Sequence, residues 1–209
     1  MKSFSAVVRV WGLALVACAA AAALSFVTLD VPVAEGLWRF GRHLSSMSAA
    51  FGATVILTLE ATVVLCLVVA RLTRGHISRF GEALGVACLA SICAYGINDQ
   101  VLKPFFGVLP PAEVVHGAAH AFNLAMGLGV GSFPSGHMVL AGAFAGVFMR
   151  LYRVSIRLLS GLLLLAAALL VLGDWHFISD VIAGTFLGVS AGILAGELWT
   201  VHMVSSRYG

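Results

Sequence analysis

Charge is what this chain has least of. Only 10% of its 209 residues are Asp, Glu, Lys or Arg, while 61% are hydrophobic and the mean hydropathy is +1.05. Soluble domains carry about 25% charged residues, so a soluble globular domain is excluded and an integral membrane protein is indicated. Lysine is almost absent, with Lys2 and Lys103 as the whole complement. The cysteines Cys18, Cys66, Cys88 and Cys93 share no disulfide or metal-ligand spacing. They fall in apolar runs and read as small packing residues. Heptad arrays, low-complexity tails and long polar domains are also missing. A single domain covering 1–209 is therefore expected.

What is present is apolar sequence in six stretches, roughly Val7–Leu29, Ala50–Ala70, Ala83–Leu102, Gly136–Leu151, Leu158–Leu172 and Phe177–His202. They predict an all-α, polytopic, six-helix bundle. The fourth and fifth are short for a bilayer that needs about 20 apolar residues, and must borrow flanking residues or stand untilted. On this scheme Lys2, Arg9, Arg71, Arg74, Arg79, Arg150, Arg153, Arg157 and Arg207 fall on one side, and Arg39, Arg42 and Lys103 on the other. That bias places both termini in the cytoplasm. Asp30, Glu35, Asp99, Glu113, Asp174 and Asp180 then lie at or near the outer face. The net charge of +3 follows from topology, and no nucleic-acid partner is expected. Lys2 and Arg9 before an Ala-rich run could open a signal peptide. Apolar sequence continues for about ten residues past Cys18, which suits a retained helix better.

The polar segments are a first outer loop (Asp30–Ser48), two Arg-rich inner loops (Arg71–Glu82 and Arg150–Arg157) and a long outer segment (Lys103–Ser135). The last holds Pro104, Pro110 and Pro111, and a short interfacial helix is expected near Ala112–Ala125. The final span carries Gly184, Gly188, Gly192 and Gly196 on one helix face, where a neighbouring helix can approach closely. Gly142 and Gly146 form a weaker version in the fourth span. Glu60, near the middle of the second span, is not assigned to the catalytic set.

Pro134-Ser135-Gly136-His137 opens an apolar helix. Ser135 can cap it, and Gly136 leaves a backbone N–H unpaired at the positive end of the helix dipole, a natural phosphate site. His137 beside it can donate a proton to a leaving oxygen. His176 and Asp180, four apart, share a helix face. A carboxylate on one ring nitrogen fixes the tautomer and leaves the other nitrogen as nucleophile or base. Ionisable residues in membrane helices are costly and point to function. Lys103, at the outer end of the third span, completes a cationic set that suits phosphate.

These residues resemble the type 2 phosphatidic acid phosphatase (PAP2) family of membrane lipid phosphatases, which is related to the vanadium haloperoxidases. The family pattern has a lysine with Arg-Pro downstream, then Pro-Ser-Gly-His, then Ser-Arg, five residues, His, three residues and Asp. Here Lys103 and Pro111 match the first part, Pro134–His137 the second, and His176 and Asp180 the third. The likeness spans roughly Asn98–Gly188, with active-site segments 98–137 and 173–184. It implies a six-span bundle of PAP2 type in the cytoplasmic (inner) membrane, acting on a lipid phosphate or diphosphate at the outer face. By that resemblance His176 attacks phosphorus to form a phosphohistidine, Asp180 orients it, and His137 protonates the leaving group. Lys103, Ser135 and the Gly136 N–H hold the phosphoryl oxygens. The route needs no metal and no other cofactor. Undecaprenyl diphosphate, phosphatidic acid, phosphatidylglycerophosphate and lipid A phosphates all fit such a pocket.

The chain departs from the pattern at both arginines. The first would fall at position 110, or 108 in some variants, where Pro110 and Val108 stand. The second would fall at Leu170, with Leu169 in the serine's place. Losing one preorganised donor costs about 10²–10³ in rate, so two uncompensated losses approach about 10⁴–10⁶, or roughly 5–8 kcal/mol. Candidate substitutes are Arg39 and Arg42 in the first outer loop, and His116 and His120 before the fourth span. His116 and His120 lack further metal ligands, and no metal site is expected. Two other readings stay open: phosphoryl transfer to a second acceptor on the same site, and a non-catalytic binding or scaffold protein.

Overall fold

The computed structural model describes residues 4–45, 52–123 and 131–208, and the regular elements among them are all helices. α1 (Phe4–Thr28) is apolar apart from Arg9 near its start and three hydroxyl residues. α2 (Asp30–Ser45) follows with hardly a break, since Leu29 N–H bonds the Ser25 carbonyl and Val33 N–H the Leu29 carbonyl, both at 2.9 Å. The outer loop expected over Asp30–Ser48 is thus largely helix. Pro32 stands in the first turn, where a missing N–H costs nothing, and Val31, Ala34 and Trp38 recur at helical spacing under a polar composition.

α3 (Ala53–Arg74) ends at Gly75 in the left-handed region, and α4 (Arg79–Ile97) starts under a Ser78 cap. α4 then widens into a π-helical turn, Asn98–Leu102, where Lys103 N–H bonds the Asn98 carbonyl five residues back. Pro104 has no N–H to continue the ordinary ladder, and such widened turns cluster at functional sites. α5 (Lys103–Phe106) stops at Gly107, whose φ of 58° favours glycine. Of the helix expected near Ala112–Ala125, whose last two residues lie outside the described ones, the described part is only the five-residue α6 (Pro111–Val115), followed by Gly117 at φ 103°. α7 (Gly136–Leu151) leads through a 3₁₀ turn (Arg153–Ser155) to α8 (Ile156–Leu172), and α9 (Ile178–Tyr208) ends the chain.

Val8–Thr28, Ala53–Arg74, Arg79–Val115 and Ile178–Met203 are long and apolar enough to cross a membrane. α7 and α8 are shorter apolar helices of 16 and 17 residues. The molecule turns apolar side chains outward: Leu13, Val16, Leu59, Leu65, Leu72, Leu164 and Leu198 are all more than half exposed. Asp30, Ser91, Asn98, Ser135, Ser179 and Asp180 are buried. Polar inside and apolar outside is the pattern a bilayer requires.

α7 is the centre, packed most extensively on α9 and next on α4. The glycine ladder makes the first contact possible. A Cβ on Gly184 would lie 2.5 Å from the Ser135 carbonyl oxygen, and one on Gly188 2.5 Å from that of Val139. Gly142 and Gly146 make the reciprocal approach, to Val189 N at 3.0 Å and Val189 O at 2.7 Å. The two helices therefore meet backbone to backbone. α1 lies on α9, with Trp11 edge-on to Phe186. Glu60 is buried beside Cys88 and Leu163, far from the outer helix ends in sequence register.

Replacing Gly188 with leucine forces these backbones apart. Thermal unfolding in detergent is expected to show a loss of about 1–3 kcal/mol or more. Gly161, in α8, has nothing within 4 Å of an added Cβ. Gly161→Ala is expected to be neutral or to gain up to about 1 kcal/mol in the same assay.

Candidate active site

Three helix ends converge at one end of the bundle. The first residue of α7 follows Ser135, which caps the helix by accepting Met138 N–H at 3.4 Å. Ser135 N–H itself donates to the Asp180 carbonyl at 3.1 Å, which ties the start of α7 to the start of α9. From the π turn, Asn98 Nδ2 donates to the Pro134 carbonyl at 3.1 Å. Each of these partners is buried, so the bonds also satisfy groups that water cannot reach.

Within this frame the side chains expected from the sequence come together. His176 Nδ1 lies 3.3 Å from Asp180 Oδ2, and the same oxygen accepts Phe177 N–H at 3.0 Å. Asp180 is fully buried and His176 only 9% exposed, so the carboxylate acts at low dielectric. With Nδ1 engaged by Asp180, the lone pair of His176 belongs on Nε2. That nitrogen faces His137 Nδ1 at 3.4 Å. His137 leans on Trp175, ring centroids 5.8 Å apart, and its own Nε2 is buried without a hydrogen-bond partner among the described residues. Lys103 Nζ reaches the start of α7: a Cβ on Gly136 would sit 3.5 Å from it and 2.9 Å from Tyr95 Cε2. Glycine at 136 thus leaves the helix N-terminus open beside the ammonium. Lys103, 16% exposed, is held by Asp99 Oδ1 at 3.1 Å and lies 5.8 Å from the Tyr95 ring centroid.

The four candidate substitutes fare differently. The side chains of Arg39 and Arg42 lie outside the described residues. His116 does not join the site: it is exposed, its Nδ1 lies 2.6 Å from the Ala112 carbonyl, and Trp38 meets its ring edge. His120 turns to Asp30, at 3.3 Å, rather than to the site. The positions of the missing arginines are filled by packing. Val108 is completely buried, and Leu170 joins a core cluster with Met138 and Val181. The Leu170 carbonyl accepts Trp175 N–H at 3.1 Å and His176 N–H at 3.4 Å. Where the family pattern has a cation, this chain has an apolar side chain in the core, and the histidine is seated through the backbone carbonyl, which any residue at 170 would supply.

Asn98 and Asp99 belong to the site and were not singled out by sequence. Asp99 was legible as a carboxylate four residues before Lys103; Asn98 acts only through the fold. Asp174 is a third addition. Its φ is 56°, unusual outside glycine, and its Oδ2 is buried without a partner among the described residues. Burial pushes its carboxyl up to about 6.

The chain belongs to the PAP2 superfamily, whose family model matches residues 83–204. Among solved structures it is similar to the crystal structure of the first transmembrane PAP2 type phosphatidylglycerolphosphate phosphatase from Bacillus subtilis. The identity is 16%, over 88% of this chain and 85% of that one, with a TM-score of 0.38, too slight a likeness to support an argument. No curated protein matches the chain.

A carboxyl raised by burial binds its proton more tightly folded than unfolded, so Asp174 subtracts stability as pH rises from the ordinary carboxyl range toward about 6. Asp174→Asn keeps a residue tolerant of the left-handed region and removes the charge. The melting temperature of the variant, relative to the natural protein, is expected to rise between about pH 4 and pH 7.

Proposed function

We propose that this protein hydrolyses a phosphomonoester or diphosphate on a membrane lipid through a phosphohistidine. The observation that carries the reading is the relay His137–His176–Asp180 beside Lys103 and an open helix N-terminus. A phosphoryl group seated there has its oxygens on Lys103, the Gly136 N–H and the Ser135 hydroxyl, at the positive end of α7. His176 Nε2 forms the N–P bond as the bond from phosphorus to the lipid oxygen breaks. His137 gives that oxygen its proton. Water then attacks the phosphohistidine, His137 takes the proton from water, and inorganic phosphate leaves.

Six crossings, with α7 and α8 as the short ones, place the end of α4 and the starts of α7 and α9 on one side. The Lys and Arg bias makes that side the outer, periplasmic face of the inner membrane, with both termini in the cytoplasm.

One observation favours a second reading, a non-catalytic binding protein on the same frame. Val108 and Leu170 occupy as core the positions where the family has arginines, which removes donors worth several kcal/mol in the transition state. Against it stands the buried Asp180, costly to retain without use.

Purified protein in mixed micelles, offered a panel of lipid phosphates, is expected to release phosphate. His176→Ala is expected to lower turnover by at least about 10³-fold; equal release by both proteins would sink the nucleophile assignment. Vanadate, an oxyanion with the shape of phosphate, is expected to bind the natural protein and to be lost in Lys103→Ala, measured by calorimetry. Vanadate binding without turnover of any lipid phosphate would select the non-catalytic reading.

A further inference from the structure

The start of α9 carries Asp180, the carboxylate of the proposed nucleophile His176, which stands two residues upstream of the helix, yet its own sequence caps it poorly. Phe177 stands just before the helix with no side-chain acceptor, and Ile178 is its first residue. The first turn of a helix leaves its N–H groups without intrahelical partners. Just upstream of that turn, Phe177 N–H goes to the Asp180 side chain. The next acceptor comes from 149 residues away. Asp30, the first residue of α2, takes Ser179 N–H on Oδ1 at 3.1 Å and the Ser179 hydroxyl on Oδ2 at 2.5 Å. Asp30 is 1% exposed and Ser179 is fully buried.

We propose that Asp30 is a positioning residue, a capping carboxylate delivered in trans from the α1–α2 junction that holds the first turn of α9, and with it the His176–Asp180 pair, in register with His137. A negative group at this terminus also meets the positive end of the longest helix in the molecule. His120 completes the unit. Its Nε2 lies 3.3 Å from Asp30 Oδ2, a charge-pair distance without hydrogen-bond alignment. Its ring is held between Phe26 at 4.1 Å and Phe177 at 4.3 Å. Phe26 lies on α1, four residues before Asp30, so one junction supplies both the cap and the stack that backs it. His120, considered from sequence as a stand-in for a missing arginine, serves instead behind the site.

The Asp30–Ser179–His120 cluster is not a second nucleophilic centre. The carboxylate sits between the other two and accepts the serine's hydrogen bond, so no imidazole faces Ser179 Oγ. Its effect reaches the chemistry through geometry. A loosened first turn moves His176 and Asp180 together relative to His137, and a displacement of about 1 Å can cost about 10²-fold in rate.

The effect on turnover rests on the phosphatase reading, whereas the capping itself does not. The test compares the full-length protein with Asp30→Ala, Asp30→Asn and Ser179→Ala in the same micelles. It measures kcat and KM on a hydrolysed lipid phosphate, and amide hydrogen exchange by mass spectrometry. Asp30→Ala is expected to lower kcat by about 10–100-fold at nearly unchanged KM. It is also expected to speed exchange in peptides covering 177–184 while those from α3 stay unchanged. Asp30→Asn, which can still accept Ser179 N–H and donate to the hydroxyl, is expected to recover most of both. Ser179→Ala loses one bond of the two and is expected to give a smaller local rise, and it decides the matter if Asp30→Ala does not fold. Exchange at 177–184 equal to the natural protein, or raised equally throughout, overturns the cap. Raised local exchange with unchanged kcat overturns the positioning role. Natural protein that hydrolyses no lipid phosphate defeats the phosphatase reading, while the exchange data still decide the cap.

Discussion

The site depends on how closely α7 and α9 approach each other. Side chains larger than hydrogen at Gly184, Gly188, Gly142 or Gly146 would strike the opposing backbone. In a bilayer the apolar effect does not drive helices together, because lipid is as apolar as leucine, so close packing must do it. Gly184 matters most for the chemistry. It faces the Ser135 carbonyl, one residue before the open turn of α7, and lies one helical turn after Asp180. The Ser135–Asp180 backbone bond and the 3.4 Å approach of His137 to His176 both need that contact. The glycine ladder is structural in kind, but it sets the distance across which the two histidines act.

Electrostatically the site is spare. Lys103 is its one described lysine or arginine, and Asp99 already engages it. A phosphate arriving there shares the ammonium with a carboxylate, so part of the attraction must come from the α7 N-terminus and from low dielectric. The arginine positions of the family pattern have gone to packing, and the Leu170 carbonyl seats His176 directly. The arrangement is less cationic than the pattern implies. On the proposed reading its donors are backbone N–H groups and one ammonium where the pattern has guanidinium groups.

Burying this much polarity in lipid demands that most groups find partners. Asp180 serves His176 and Phe177, Asp30 serves Ser179, Asn98 serves Pro134, and Ser91 bonds the Leu140 carbonyl. The Asp30–Ser179 and Ser91–Leu140 bonds join different helices, so these polar groups also fix how the helices register. Among the buried side-chain atoms without a partner in the described residues, His137 Nε2, Asp174 Oδ2 and Asp180 Oδ1 lie on or next to the histidine relay, while others, on Glu60, Glu82 and Ser190, lie elsewhere.

Membrane class, helical architecture and the chemical residues were legible in the chain itself. Apolar run length reports span position because the bilayer sets it. The spacing of four between His176 and Asp180 is legible, but the shared helix face it predicts is not what forms: His176 stands two residues before α9 and meets Asp180 across the start of that helix. Where the local signal was compositional it misled: α2 looked like a loop because polar residues masked a helical period, and α6 ends short of Gly117. Relations between distant segments were closed to the sequence. The role of His120, the cap from Asp30 and the filling of the arginine positions by Val108 and Leu170 depend on which helix faces which. The chain alone determined that a histidine pair, a carboxylate and a lysine sit at the ends of membrane helices. Only the tertiary structure decided that they meet, because side-chain geometry across 39 or 149 residues is set by helix packing and not by any periodicity along the chain.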